Sequence, residues 1–269
     1  MEISRARYLV SPAGRSALAS LPPGLPVASP NQLATVLRRS FPASEASALA
    51  EQLTLRARAA RNHGVSRELL FTAGGLEMMT HPLGAERRPP GRAGYRHGGA
   101  PPAVAALGRP CAGLDRDGAT TLLAAANTGA PIVLGDAARP PFDVANLAVI
   151  LDPSRRSGST RTFNPAAYSP RWDAAVAVAS SAAAAVIKAQ PGIDATYLPP
   201  GVELEAIQPG TSMRELAIWF GQGAEPGLRR AVLLPAGETL ESNEAEAGGE
   251  PRAAGQFLFD PESCVTRAT

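Results

Sequence analysis

Three aspartates each close a short apolar run: Asp115 follows Cys111 to Leu114, Asp136 follows Ile132 to Gly135, and Asp152 follows Leu147 to Leu151. Such runs read as strands, and in open α/β sheets ligands bind outside the carboxyl ends of parallel strands. A carboxylate at such an end can accept both hydroxyls of a ribose, or an exocyclic amine. Asp152 leads into Pro153, Ser154, Arg155, Arg156, Ser157 and Gly158. Its carboxylate and the adjacent backbone carbonyls can orient an incoming amine. The two guanidinium groups can hold a phosphate bidentately, or pair with the protein's own carboxylates. Asp-Pro followed by Ser and Gly is also ordinary turn composition. Recurrence decides for a site, because neighbouring strand ends bring their carboxylates to one rim. Lys188, the only lysine, ends a further apolar run and is a candidate for substrate contact. His63, His81 and His97 are isolated, and Cys111 and Cys264 match no metal or redox spacing, so no metal centre is expected.

The chain must supply elements that position these groups. Its 269 residues are 45% hydrophobic and 19% charged, with a net charge of +2, which is globular composition. The arginine bias is compatible with phosphate-rich partners and follows equally from a GC-rich coding sequence. The two cysteines read as reduced thiols of a cytoplasmic protein, and no apolar run approaches the ~20 residues that span a bilayer. Residues 1–85 read as a helical N-terminal region. Asn31 can cap a helix through Arg39, Ser44 one from Glu45 to Asn62 stopped by Gly64, and Thr72 one that ends before Pro82. Arg56, Arg58 and Arg61 on the long helix either solvate it or line a nucleic-acid surface.

From residue 103 short apolar runs alternate with helical segments, the texture of βαβ units. A helix over 102–107 leads to strand Pro110–Leu114. Asp117 caps a helix through Asn127 that Gly129 closes, and strands Pro131–Leu134 and Leu147–Leu151 follow. The last of these has no period-2 alternation, which predicts burial on both faces. Helix Arg171–Ser180 and strand Ala183–Lys188 come next, then the turn Gln190-Pro191-Gly192 and strands Val202–Ile207, Arg214–Phe220 and Arg230–Leu234. Strands in succession without a long helix between them predict an antiparallel edge. Residues 238–254 read as a mobile loop, and Gln256–Phe259 as a last strand.

These motifs, in this order, resemble the class I S-adenosylmethionine-dependent methyltransferases. The bacterial subgroup with an N-terminal helical region and a C-terminal THUMP-like domain is the nearest pattern. The stretches that carry the resemblance are Leu70 to Thr72, Gly75 to Glu77 and Thr80 to Pro82, then Gly113 to Asp117 and Gly135 to Ala137. Leu151 to Gly158 is the most specific, and it continues through Phe163-Asn164-Pro165, Tyr168-Ser169-Pro170, Ile187-Lys188, Pro191 to Asp194, Arg214-Glu215 and Trp219. The resemblance implies a Rossmann-like α/β methyltransferase sheet over residues 86–269, mostly parallel with an antiparallel edge. It implies S-adenosylmethionine as cofactor, held by Gly98, Gly99, Asp115, Asp136 and Ala137. Asp152, Pro153 and Arg155 would face the reacting centre, Arg156 and Lys188 the substrate, and the substrate would be an RNA base.

The sequence departs from that pattern in three places. The family's first strand and glycine-rich turn belong between Pro82 and Ala103, where the chain reads Glu-Arg-Arg-Pro-Pro-Gly-Arg-Ala-Gly-Tyr-Arg-His-Gly-Gly over 86–99. Proline and glycine at this density do not make a central parallel strand. If Gly94 to Gly98 is encoded GGG-TAY-CGG-CAY-GGN, a one-base slide yields Gly-Ile-Gly-Thr-Gly or Gly-Ile-Gly-Met-Gly, a cofactor loop of the expected type; re-sequencing the coding DNA tests this. Leu258 to Glu262 resembles the entry to a THUMP-like domain, yet the sequence stops at Thr269. Ser154 stands where many base-amine methyltransferases have a second proline, with no aromatic directly after it to stack on a base. Two other readings follow from these departures: a catalytically inactive remnant or RNA-binding protein on the same sheet, and an NAD-binding oxidoreductase that uses Asp115 on the ribose.

Overall fold

In the computed structural model, residues 1–22, 29–63, 68–78, 111–157, 160–211, 213, 215–243 and 261–268 are described. They fall into two compact units, one holding the described residues through 78 together with 111–137, the other those from 138 onward. The helix expected at 102–107, the strand at Gln256–Phe259, Gly64 and the whole 83–103 interval lie outside the described residues.

The first unit begins with α1 (Ile3–Val10), α2 (Pro12–Ser20), α3 (Pro30–Leu37), α4 (Ala43–His63) and α5 (Ala73–Met78). Ser11 caps α2 by accepting the Gly14 amide, and Thr72 caps α5 by accepting that of Gly75. The cap of α3 is Ser29 rather than Asn31. Ser29 accepts the Gln32 amide while the Gln32 side chain accepts the Ser29 amide, so two orphan donors are satisfied reciprocally, which Asn31, two residues later and already inside the helix, cannot do. Leu9, Leu18, Leu33, Leu37 and Leu49 form the core of these helices with Leu123. Two side-chain amides clasp the strand-like segment before α5. Gln52, fully buried, donates to and accepts from the Phe71 backbone, and Asn127 does the same for Leu70. Arg56 donates to the carbonyls of Leu69 and Glu68 at 2.9 and 2.8 Å, so this guanidinium serves the chain's own backbone, and its burial lowers its pKa.

The same unit carries β1 (Gly113–Asp115), α6 (Gly118–Thr128) and β2 (Ile132–Leu134), a βαβ unit with β1 and β2 parallel. Asp117 caps α6 by accepting from the Thr120 amide (2.7 Å), and Gly129 closes it in the left-handed region at φ 66°. Replacing Asp117 by Ala is expected to cost about 1 kcal/mol of stability, measured by urea unfolding.

The second unit is built on a six-stranded sheet in the order β10-β9-β7-β8-β6-β3. Its strands are β3 (Ala148–Leu151), β6 (Ala184–Ala189), β7 (Glu203–Pro209), β8 (Glu215–Gly221), β9 (Leu228–Leu234) and β10 (Glu238–Asn243). The pairs β3–β6 and β7–β9 are parallel and the other three antiparallel, so β3, β6, β7 and β9 run one way while β8 and β10 run the other. This is the expected α/β, mostly parallel sheet, with antiparallel β10 at its edge. A small hairpin, β4 (Arg156–Ser157) with β5 (Thr160–Arg161), follows β3. Helix α7 (Trp172–Ser181) makes the crossover from β3 to β6, and α8 (Ser263–Ala268) packs on β7 and β9.

Ser44, expected to cap the long helix, lies inside α4, which already begins at Ala43, and three further features differ from the sequence reading. Residues 238–243 are strand β10, not loop, because their backbone completes the ladder of β9; residues 244–254 lie outside the described residues. Leu147–Leu151 is not buried on both faces: β3 ends the sheet among the described residues, Leu147 and Ala148 are exposed, and burial is complete only at Leu151. Helix α8, absent from the sequence reading, docks where Gln208 accepts the Cys264 amide and donates to Glu262.

Candidate functional site

In the first unit, β1 and β2 pair in register with Asp115 opposite Leu134. Asp115 and Asp136 therefore leave the same end of this two-stranded sheet. Asp115 accepts the Asp117 amide at 2.8 Å, and the Gly135 amide donates to the Asp115 carbonyl at 3.0 Å, which ties the two strand ends together. Burial pushes the Asp115 carboxyl up from its ordinary value, opposed by the Asp117 amide. Asp136 is exposed and Ala137, in the turn after it, is half-buried. An acceptor pair on adjoining strand ends, one half-buried and one open to water, suits a ribose and an adenine amine. Gly98 and Gly99 lie outside the described residues.

In the second unit, β3 and β6 run parallel with Leu151 opposite Ile187, so Asp152 and Lys188 emerge side by side at the carboxyl end of the pair. The Lys188 Nζ lies 3.4 Å from Asp152 Oδ2 and 3.9 Å from Glu215 Oε2. Glu215 arrives on the same face because Lys188 pairs with Ala217 across β6 and β8. Burial raises the Asp152 pKa, and Lys188, followed by Arg155, pulls it down. Pro153 is buried, and Ser154 is fixed against Ser169 by two backbone hydrogen bonds of 2.8 and 2.9 Å. Arg155 donates through Nη1 to Gln190 Oε1 at 3.3 Å, which joins the turn after β3 to the turn after β6. Arg156 opens β4, and its side chain lies outside what is described.

The structure thus gathers Asp152, Pro153, Arg155 and Lys188 at one sheet end, and Asp115, Asp136 and Ala137 at another. Glu215 and Gln190 join the first group, and sequence reading missed both. Each touches its partner across more than twenty intervening residues. Glu215 was legible only as part of a motif, and Gln190 only as a turn residue. Among the described residues no cluster of His, Cys, Asp or Glu could hold a metal ion, and no helix is long and apolar enough to cross a membrane.

Comparison with known proteins agrees with this architecture. Residues 2–59 match a domain of unknown function, DUF8688. Two curated Mycobacterium tuberculosis proteins, from strains CDC 1551 / Oshkosh and ATCC 25618 / H37Rv, are 34% identical over 124 residues, and each is named an uncharacterized S-adenosylmethionine-dependent methyltransferase. The match covers 45% of this chain and 34% of each relative, so the chain spans about a third of the length of the relatives it matches. The crystal structure of a Porphyromonas gingivalis W83 protein assigned as a methyltransferase superposes with a TM-score of 0.64 at 15% identity. It covers 99% of this chain and 72% of that one. The chain shares the α/β fold of that methyltransferase structure.

Proposed function

We propose that the chain is an S-adenosylmethionine-dependent methyltransferase acting on an RNA base. The observation that carries this reading is Asp152-Pro153 at the carboxyl end of the parallel pair β3–β6, its carboxylate held by Lys188. The 34% identical relatives support the cofactor assignment. Asp115 accepts ribose hydroxyls and Asp136 the adenine amine, with Ala137 beside it; Gly98 and Gly99 belong to the expected cofactor turn. S-adenosylmethionine, when bound, supplies an electrophilic methyl on its sulfonium. The chain's own residues hold and orient the acceptor: Asp152 and the carbonyls beside Pro153 accept hydrogen bonds from the amine, Arg155 braces the turn by donating to Gln190, and Arg156 is assigned to the substrate. Lys188 contributes by fixing and charging Asp152. In-line displacement asks chiefly for this kind of positioning. On this reading residues 1–85 form a helical region and 86–269 the Rossmann-like methyltransferase domain of a cytoplasmic protein.

Calorimetric titration with S-adenosylmethionine and S-adenosylhomocysteine is expected to show binding of both, weakened about 10- to 100-fold in Asp115→Ala, the loss of a charged acceptor. Absence of heat with either ligand overturns the reading in favour of a remnant, and heat with NAD alone favours the oxidoreductase.

A further inference from the structure

Phe163 is 74% exposed, the most exposed large apolar side chain among the described residues. Its backbone is nonetheless held from several sides. Gln190, itself buried, donates from Nε2 to the Phe163 carbonyl at 3.3 Å, while its Oε1 accepts from Arg155. The Thr162 amide donates to the Arg155 carbonyl at 2.8 Å, three residues beyond Asp152. The Asn164 amide donates to Thr162 Oγ1 at 3.1 Å, and the Asn164 side chain caps the 3-10 turn Pro165–Ala167 at the Ala166 amide, 3.0 Å away. A polar scaffold, buried at Gln190 and open at Asn164, therefore fixes the backbone beneath an aromatic ring and leaves the ring in water, on the loop tied to the turn after Asp152.

We propose that Phe163 is the stacking platform for a single-stranded RNA base whose exocyclic amine is presented to Asp152. The inference deepens the methyltransferase reading and rests on its assignment of Asp152 to the acceptor side. The two groups divide the labour that a planar amine-bearing ring requires: a carboxylate with adjacent carbonyls takes the polar edge, and a phenyl ring takes the π face. Phenylalanine offers no hydrogen bond, so it orients the ring without selecting its identity. A protein partner would need a contiguous apolar patch. Along the loop the neighbours of Phe163 are Thr162, Asn164 and Pro165, none a large aliphatic or aromatic side chain. One stacked base needs one ring.

The test uses a short oligoriboadenylate and an abasic ribose-phosphate strand of equal length. Phe163→Ala is expected to weaken oligoriboadenylate binding about tenfold and to leave the abasic strand unchanged. Phe163→Leu, apolar without a ring, behaves like Phe163→Ala if stacking is the contribution and like wild type if packing is. Phe163→Trp keeps affinity, and its exposed indole is quenched by the oligoriboadenylate and not by the abasic strand. Wild-type affinity in Phe163→Ala or Phe163→Leu, or equal binding of both strands by the wild type, overturns the proposal. S-adenosylmethionine titrated into the same variants separates the two readings. Cofactor binding without a Phe163 effect sinks only the platform. Stacking without cofactor binding sinks only the methyltransferase.

Discussion

Asp152→Asn is expected to lower methyl transfer about a hundredfold, the scale of a lost positioning contact at a reacting centre, while the folded chain does not lose stability at neutral pH, because Lys188 keeps the Glu215 carboxylate at 3.9 Å and is not left as an uncompensated charge. The second half follows from the direction of the Asp152 shift. Burial raises its pKa above the unfolded value despite Lys188. A raised folded pKa means that the stability this group contributes is present below the unfolded value, about 3.9, and lost as the pH rises through the folded one. At neutral pH the ionised carboxylate is therefore held at a cost, which an amide removes. A residue kept charged against burial, paired to a cation at 3.4 Å, is what a site retains for function. Thermal melts set beside initial rates check both halves, and a variant that loses stability and activity together would reduce Asp152 to a structural carboxylate.

Lys188 divides the same question more finely. Lys188→Met removes two influences that lower the Asp152 pKa, the charge and the hydrogen bond. The acid limb of the kcat profile is expected to move toward neutral pH, and Lys188→Arg to restore it. Were Lys188 a substrate contact instead, the Met variant would raise KM and leave the limb where it was.

The parts of the fold that local chemistry dictates were legible in the sequence. Asp117 and Gly129 bracket α6 because a carboxylate cap and a left-handed stop act within one turn of themselves. Each apolar run closed by an aspartate became a strand with that aspartate at its end or just past it. What sequence hid is non-local. Glu-Thr-Leu-Glu-Ser-Asn over 238–243 has the composition of a loop and becomes a strand only because β9 offers it a ladder. Glu203, Glu205 and Glu215 carry charge into strands, yet all three are buried, with Glu205 accepting from the Trp219 indole at 3.2 Å. Gln52 and Asn127 look like surface amides until the backbone of Leu70 and Phe71 arrives between them. The candidate site shows the same division. Asp152 was visible at a strand end, whereas its neighbours Glu215 and Gln190 were placed by register and by a turn.

The largest loss of stability is expected from Arg230→Met. Arg230 sits on β9 between Glu203, fully buried on β7, at 3.2 Å, and Glu241, exposed on β10, at 2.6 Å. Judged by distance alone the Glu241 pair would dominate. Burial reverses that order, because an exposed ion pair contributes only about 0–1 kcal/mol, whereas removing one partner of a buried pair costs about 3–5 kcal/mol, chiefly through the charge left behind in a medium that solvates it poorly. Glu203 keeps the Glu225 amide on its other oxygen at 2.8 Å, which places the expected cost near the lower bound, about 3 kcal/mol. Glu241→Gln should cost less than about 1 kcal/mol. The double variant Glu203→Gln, Arg230→Met removes the charge with its partner and should recover most of the loss, since a neutral amide can still accept from Glu225. Urea unfolding of the three variants measures the order directly. If Glu241→Gln cost as much as Arg230→Met, β10 rather than the buried carboxylate would be what Arg230 secures.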